Sequence, residues 1–181
     1  MTDPFGQPTG GGNYPKLDDL EGNLILLRPS KVETVPGYQG KGTTDRATAD
    51  CWVFGPNVFG IDNGKGGRIP HDKPDLSAVE KYDDMYFSQA GIVPSCKQAL
   101  KPDGLPYVLG VVSKFPSKKS KEAGIDTPEK LEDALTKWLR GGGKGEKPQF
   151  AWGLGTYNDD QAKAARELID SFNRATDPFQ G

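Results

Sequence analysis

NLILLRPSKVE, residues 23–33, is the stretch on which the reading of this chain turns. Four consecutive apolar residues, Leu24 to Leu27, are comfortable only inside a core. Arg28, Pro29 and Lys31 follow at once, and they are not. A buried strand therefore runs into a basic, proline-broken exit, and whatever meets the chain there must tolerate positive charge.

Working outward, TVPGYQGKGTTDR (34–46) holds three glycines and a proline and reads as a long loop. ATADCWVF (47–54) alternates as a strand should. It sets Ala49, Cys51 and Val53 on one face and Thr48, Asp50, Trp52 and Phe54 on the other. Residues 55–80 form a Gly-rich excursion. KYDDMYF (81–87) is a short strand, and 88–100 a short helix whose start Pro94 restricts. LPYVLGVVSKF (105–115) is β-branched and aromatic, the clearest strand signal in the chain.

A lysine-rich stretch then leads to a helix with Thr127 as cap, Pro128 in its first turn and Gly141 at its close. Its apolar stripe is Leu131, Leu135, Trp138 and Leu139. QFAWGL (149–154) is the last strand. Asn158 and Gln161 form a capping box before a helix with Ala162, Ala165, Leu168, Ile169 and Phe172 on its apolar side.

The expected organisation is a flexible arm over 1–16, one domain over 17–174 with insertions at 55–80 and 116–148, and a tail over 175–181. The class is mainly β with two or three helices. About five strands, long Gly-rich connections, one helix inserted before the last strand and one after it fit a small closed or partly open barrel. A β-sandwich is the alternative. Irregular alternation of strands and helices argues against a doubly wound α/β sheet.

Composition narrows function. Only 34% of the 181 residues are hydrophobic, and 24 glycines and 15 prolines predict long loops around a modest core. No apolar run reaches the ~20 residues that span a bilayer, and the N-terminus lacks a secretory h-region, so a cytoplasmic protein is expected. Cys51 and Cys96 read as free, partly buried thiols. The net charge of −2 excludes a wholly basic nucleic-acid binder, but the charge is uneven. Residues 97–121 carry six lysines against Asp103, whereas 1–22 carry Lys16 against four acids.

Catalytic signatures are missing from the sequence. The single histidine, His71 beside Asp72, has no evident nucleophile or orienting group. One histidine and two distant cysteines do not make a zinc site. Gly143-Lys144 and Gly64-Lys65 lack the Ser or Thr and the earlier glycine of a P-loop, and GLG at 153–155 lacks a third glycine. Asp18-Asp19, Asp83-Asp84 and Asp159-Asp160 have structural explanations. No catalytic residue, metal site or cofactor is expected.

What remains is cations interleaved with rings. Arg28 and Lys31 at the strand exit are followed by Tyr38, Lys41 and Arg46 in the next loop, then by Trp52, with Lys114 beyond another core strand. Cations that track phosphates, beside rings that stack bases, are what a single strand requires. Arg28, Lys31, Lys41, Arg46 and Lys114 are the candidate phosphate contacts; Tyr38 and Trp52 are the candidate platforms.

The order D-L-x-G-x-L-x-L-L-x-P-x-x-x-E at 19–33, A-D-C-W-V-F at 49–54, D-M-Y-F at 84–87, V-L-G at 108–110 and a tryptophan before T-Y-N-D-D-Q-A resembles a group of actinobacteriophage single-stranded DNA-binding proteins. The likeness spans roughly residues 17–172. It implies an OB-type barrel that coats single-stranded DNA, or RNA, in the host cytoplasm during phage DNA replication or recombination. Asp177-Pro178-Phe179 faintly resembles the acidic Pro-Phe tips through which bacterial single-strand binders recruit replication or recombination partners. The competing expectation is a module for protein–protein contact or homo-oligomerisation that binds no nucleic acid and docks through the basic loops and the 128–140 helix.

Overall fold

The computed structural model describes residues 14–55, 59–62, 68–70 and 75–176. His71, Asp72, the Gly64-Lys65 pair, most of the expected N-terminal arm and Asp177-Pro178-Phe179 lie outside the described residues. Among the described residues, seven strands run in the order β1 (Leu24–Pro36), β2 (Thr43–Phe54), β3 (Phe59–Asp62), β4 (Arg68–Pro70), β5 (Val79–Phe87), β6 (Val108–Pro116) and β7 (Phe150–Gly155). The helices are α1 (Leu17–Leu20), α2 (Val93–Ala99), α3 (Lys118–Glu122), α4 (Pro128–Arg140) and α5 (Asp159–Thr176).

Five strands form one antiparallel sheet in the order β5-β2-β1-β6-β7, while β3 and β4 pair separately within the 55–80 excursion. The sheet curls so that its two ends approach each other. Just beyond β5, Gly91 makes a parallel bridge to Gly153 on β7. Side chains are absent there for a steric reason. A Cβ on Gly91 would stand 2.6 Å from the Trp152 carbonyl oxygen and 2.8 Å from the Gly153 Cα. The result is an OB-like, partly open five-stranded barrel with helices. A single curled sheet takes the place of the two stacked sheets that a sandwich requires.

Alternation along β1 and β2 builds two cores on the two faces of that sheet. Ile25, Leu27, Ala47, Ala49, Cys51 and Val53 point into the barrel with Met85, Phe87 and Val112, and Ile92, Val93 and Cys96 of the α2 region close over them. On the outer face, Leu24, Leu26, Trp52 and Phe54 meet Ala165, Leu168, Ile169 and Phe172 of α5. Burying each of those large side chains contributes ~1.5–3 kcal/mol, so α5 is integral to the domain.

Asn23 locks the start of β1 to the end of β2. Its buried Nδ2 donates to the Phe54 carbonyl at 3.0 Å and to the Gly55 carbonyl at 2.7 Å. Pro29 explains the broken exit of the core strand. It sits beside a register shift between Pro29 and Lys31, where its missing N–H costs the ladder least.

The strand does not end there, which corrects the expected 34–46 loop. β1 and β2 stay paired out to Pro36 and Thr43, leaving a connection of six residues with a 3-10 turn at Tyr38–Gly40. Both faces of this outer hairpin are largely wet, so no apolar period marks it as strand. A second departure is α3, a single turn within the lysine stretch, capped by the Ser117 hydroxyl accepting from the Ser120 N–H at 3.3 Å.

The predicted caps of the longer helices are in place. The Thr127 hydroxyl accepts from Lys130 N–H at 3.2 Å. Asn158 and Gln161 exchange bonds of 2.9 and 2.8 Å. Helix α5 runs two residues past the expected domain end at 174. Tyr14 lies within the expected arm, yet it packs against the inner core and donates its hydroxyl to the Asp83 carbonyl at 2.7 Å. No helix among the described residues is long and apolar enough to cross a membrane.

Candidate nucleic-acid interface

On both sides of the bulge, the outer face of the β1–β2 hairpin carries the predicted cations in register. Arg28 lies opposite Asp50, Lys31 opposite Thr48 and Glu33 opposite Arg46. Each cation has an acid beside it. Arg28 Nη2 reaches Asp50 Oδ2 at 2.7 Å, while Arg46 Nη2 and Lys31 Nζ converge on Glu33 Oε1 at 2.8 and 3.4 Å. Hydrogen bonds from Arg46 and then Lys31 hold the Glu33 carboxyl below its ordinary range. Burial pushes Asp50 up, but the Arg28 hydrogen bond, the Asp84 N–H and the charges of Arg28 and Lys81 outweigh it and lower its pKa. At the hairpin tip Tyr38 is 84% exposed, and Lys41 is exposed with no carboxylate partner among the described residues.

Two predicted site residues lie elsewhere. Trp52, expected as a stacking platform, is only 4% exposed. Its ring is covered by Phe172, with centroids 4.8 Å apart, and flanked by Arg28 at 5.3 Å and Lys81 at 5.4 Å. The expectation fails because α5 lands on the outer face of β2. Lys114 is on the other face, toward β7, where its Nζ meets Glu21 Oε2 at 3.2 Å. The structure thus gathers Arg28, Lys31, Tyr38, Lys41 and Arg46 on one hairpin, buries Trp52 beneath α5, and sets Lys114 apart.

A different ring occupies the place expected of Trp52. Tyr86, on β5 opposite Thr48, is 39% exposed and lies under the Arg46 guanidinium, 4.3 Å from it. At this pair two buried polar atoms, Arg46 Nε and Thr48 Oγ1, have no hydrogen-bond partner among the described residues. A buried polar atom without a partner costs ~1–3 kcal/mol, and a cluster of two marks unfilled hydrogen-bonding capacity at this spot.

Tyr86 escaped sequence reading because of a bulge. Tyr82 packs toward the barrel, and so does Met85 three residues later, which an unbroken period of two forbids. The extra residue is absorbed at Asp84, whose φ of 51° is held by its N–H donating to Asp50 Oδ1 at 3.1 Å.

A second group of rings and cations surrounds Lys114. Its Nζ stands 4.7 Å from the Phe150 ring centroid and 5.3 Å from that of Trp152. Lys147 Nζ lies 5.8 Å from Phe150 and 5.5 Å from Trp138. Sequence reading assigned Trp138 to a helix stripe and passed over Phe150 and Lys147, since the loop that folds Lys147 back onto these rings has no periodic signal.

Along helix α4 Leu131 is buried, Leu135 and Trp138 are half-covered and Leu139 is exposed, and the helix packs on β6. No cluster of metal-ligating side chains occurs among the described residues. No protein-family model, curated protein or solved structure matches this chain.

Proposed function

We propose that this domain is a non-enzymatic binder of single-stranded DNA, sequence-tolerant, acting in phage DNA replication or recombination as the resemblance of its motifs implies. The observation that carries the reading is the Arg46–Tyr86 pair with its unpartnered neighbours, Arg46 Nε and Thr48 Oγ1. Tyr86 offers a base a flat surface once Arg46 swings off it toward a phosphate. Arg46 Nε and the Thr48 hydroxyl then have groups to bond.

The acids on the hairpin do not oppose this strongly. Exposed ion pairs are worth ~0–1 kcal/mol, so exchanging Glu33 for a phosphate costs little. Charge-assisted bonds from arginine to phosphate replace what is lost. Lys41 and Tyr38 extend the track to the hairpin tip. The OB-like strand order supports the reading by analogy only, since this architecture serves many ligands.

Fluorescence anisotropy with labelled oligothymidine, oligouridine and a duplex of equal length, at two salt concentrations, tests it. Binding to the single strands should exceed binding to the duplex and weaken with salt by ~0.7 in log-log slope per neutralised phosphate. Equal affinity for the duplex, or binding indifferent to salt, would overturn the reading.

A further inference from the structure

A strand bound along the hairpin and Tyr86 does not touch the rings around Lys114. These residues alternate in space as Trp138, Lys147, Phe150, Lys114 and Trp152, with each cation within 6 Å of the ring on either side. Phe150 and Trp152 meet edge-on at 5.4 Å and 84°. Only Lys114 of the two cations has an acid partner among the described residues; Lys147 is exposed. The exposed Lys118 and Lys121 lie nearby on α3, which packs against β6.

The loop is shaped to present this row. Gly143 and Gly145 adopt φ of 71° and 82°, a left-handed conformation that side chains resist. The turn so formed lets the Gly145 carbonyl accept from Trp138 Nε1 at 3.2 Å and brings Lys147 over the indole. A Cβ on Gly143 would sit 3.4 Å from that ring.

One open depression touches residues of both groups. Its volume is about 330 Å³, and Tyr86 and Trp152 both line it, together with Lys16, Asp18, Met85 and Gln89. We infer that the Trp138–Lys147–Phe150–Lys114–Trp152 row is a second binding station for the same single strand, which crosses the β5/β7 seam from Tyr86 and continues toward α4. The inference rests on the proposed function, and it adds a direction to the strand's path and a length to the site. Lysines already seated over the rings move to phosphates as bases take their places, so both partners are present before binding.

An oligothymidine length series tests it in the full-length protein. OB-type folds cover ~4–16 nucleotides, so oligomers of about 5 and about 15 bracket one station and two. Lys147→Glu, at an exposed residue, and Phe150→Ala should each leave the short oligomer's affinity unchanged and weaken the long one about tenfold, the effect of one lost stacked base or phosphate contact. Tyr86→Ala should weaken both lengths. If Lys147→Glu and Phe150→Ala leave the long oligomer unaffected while the wild type binds it, the second station is wrong and the proposed function stands. If the wild type binds neither length, the proposed function falls, and the second station falls with it.

Discussion

The Trp52 ring lies 4.8 Å from the ring of Phe172, tilted by 35°, so the C-terminal helix is fastened to the middle of β2. This contact covers Trp52 and makes it part of the second core. Phe172→Ala should therefore destabilise the domain, by on the order of 2 kcal/mol for a half-covered ring. Denaturant unfolding followed by tryptophan fluorescence measures it. Oligothymidine affinity below the transition should not change; a loss there with no loss of stability would return Trp52 to the binding site.

The bridge between Gly91 and Gly153 has its own test. Gly91→Ala places a methyl 2.6 Å from a backbone oxygen, where no flexible side chain can yield. The seam must open to admit it. Overpacking of this kind costs ~1–3 kcal/mol, visible as a lower urea midpoint, and it should alter emission from Trp152 beside the bridge.

On the hairpin, charge and stacking separate experimentally. Arg46→Ala should reduce the salt slope of oligothymidine binding by ~0.7, one phosphate contact. Tyr86→Ala should weaken binding about tenfold with the slope unchanged, because a stacked base releases no counterion. A Tyr86→Ala variant that binds like wild type would remove the ring from the interface.

Asp50 links stability to acid. Its folded-state pKa is lowered, on balance, by Arg28, the Asp84 N–H and Lys81 against the upward push of burial. A lowered carboxylate stabilises the fold above its ordinary range and ceases to do so as pH falls through the folded value. The gap in urea midpoint between wild type and Asp50→Asn should be widest near neutrality and shrink as pH drops below 4, the ordinary carboxylate range. A gap that grows on acidification contradicts this.

The two cysteines make the opposite prediction. Burial pushes the Cys51 thiol up to about 12 and the Cys96 thiol up to about 11, from an ordinary 9.0. Stability from the neutral thiols is complete below the ordinary value and is lost as pH rises through the folded ones. At pH 8 both should resist a thiol-reactive disulfide reagent in the native protein and react fully in denaturant. Rapid reaction of either thiol under native conditions would show that the inner core is open.

Local pattern disclosed the inner core well. The alternation of Ala49, Cys51 and Val53 against Thr48, Asp50, Trp52 and Phe54 divides β2 as the structure does. The apolar stripe of α5 was equally legible. What strand periodicity cannot say is where such a helix lands, and that placement decided the fate of Trp52. The outer hairpin was hidden for a different reason: two wet faces impose no pattern. Tyr86 was hidden by one inserted residue in β5, and the Lys147 contacts by a glycine loop whose course depends on backbone torsions.

The strand order also governs how the chain must assemble. β1 is central, flanked by β2, which follows it at once, and by β6, whose Val111 pairs with Leu24 only after most of the polypeptide has been made. On a ribosome the hairpin can form early, yet one edge of β1 stays open until that late partner emerges. Such long-range pairing slows folding, and an uncovered apolar edge invites association with other chains. Nascent or truncated copies ending before β6 should therefore be the species that aggregate.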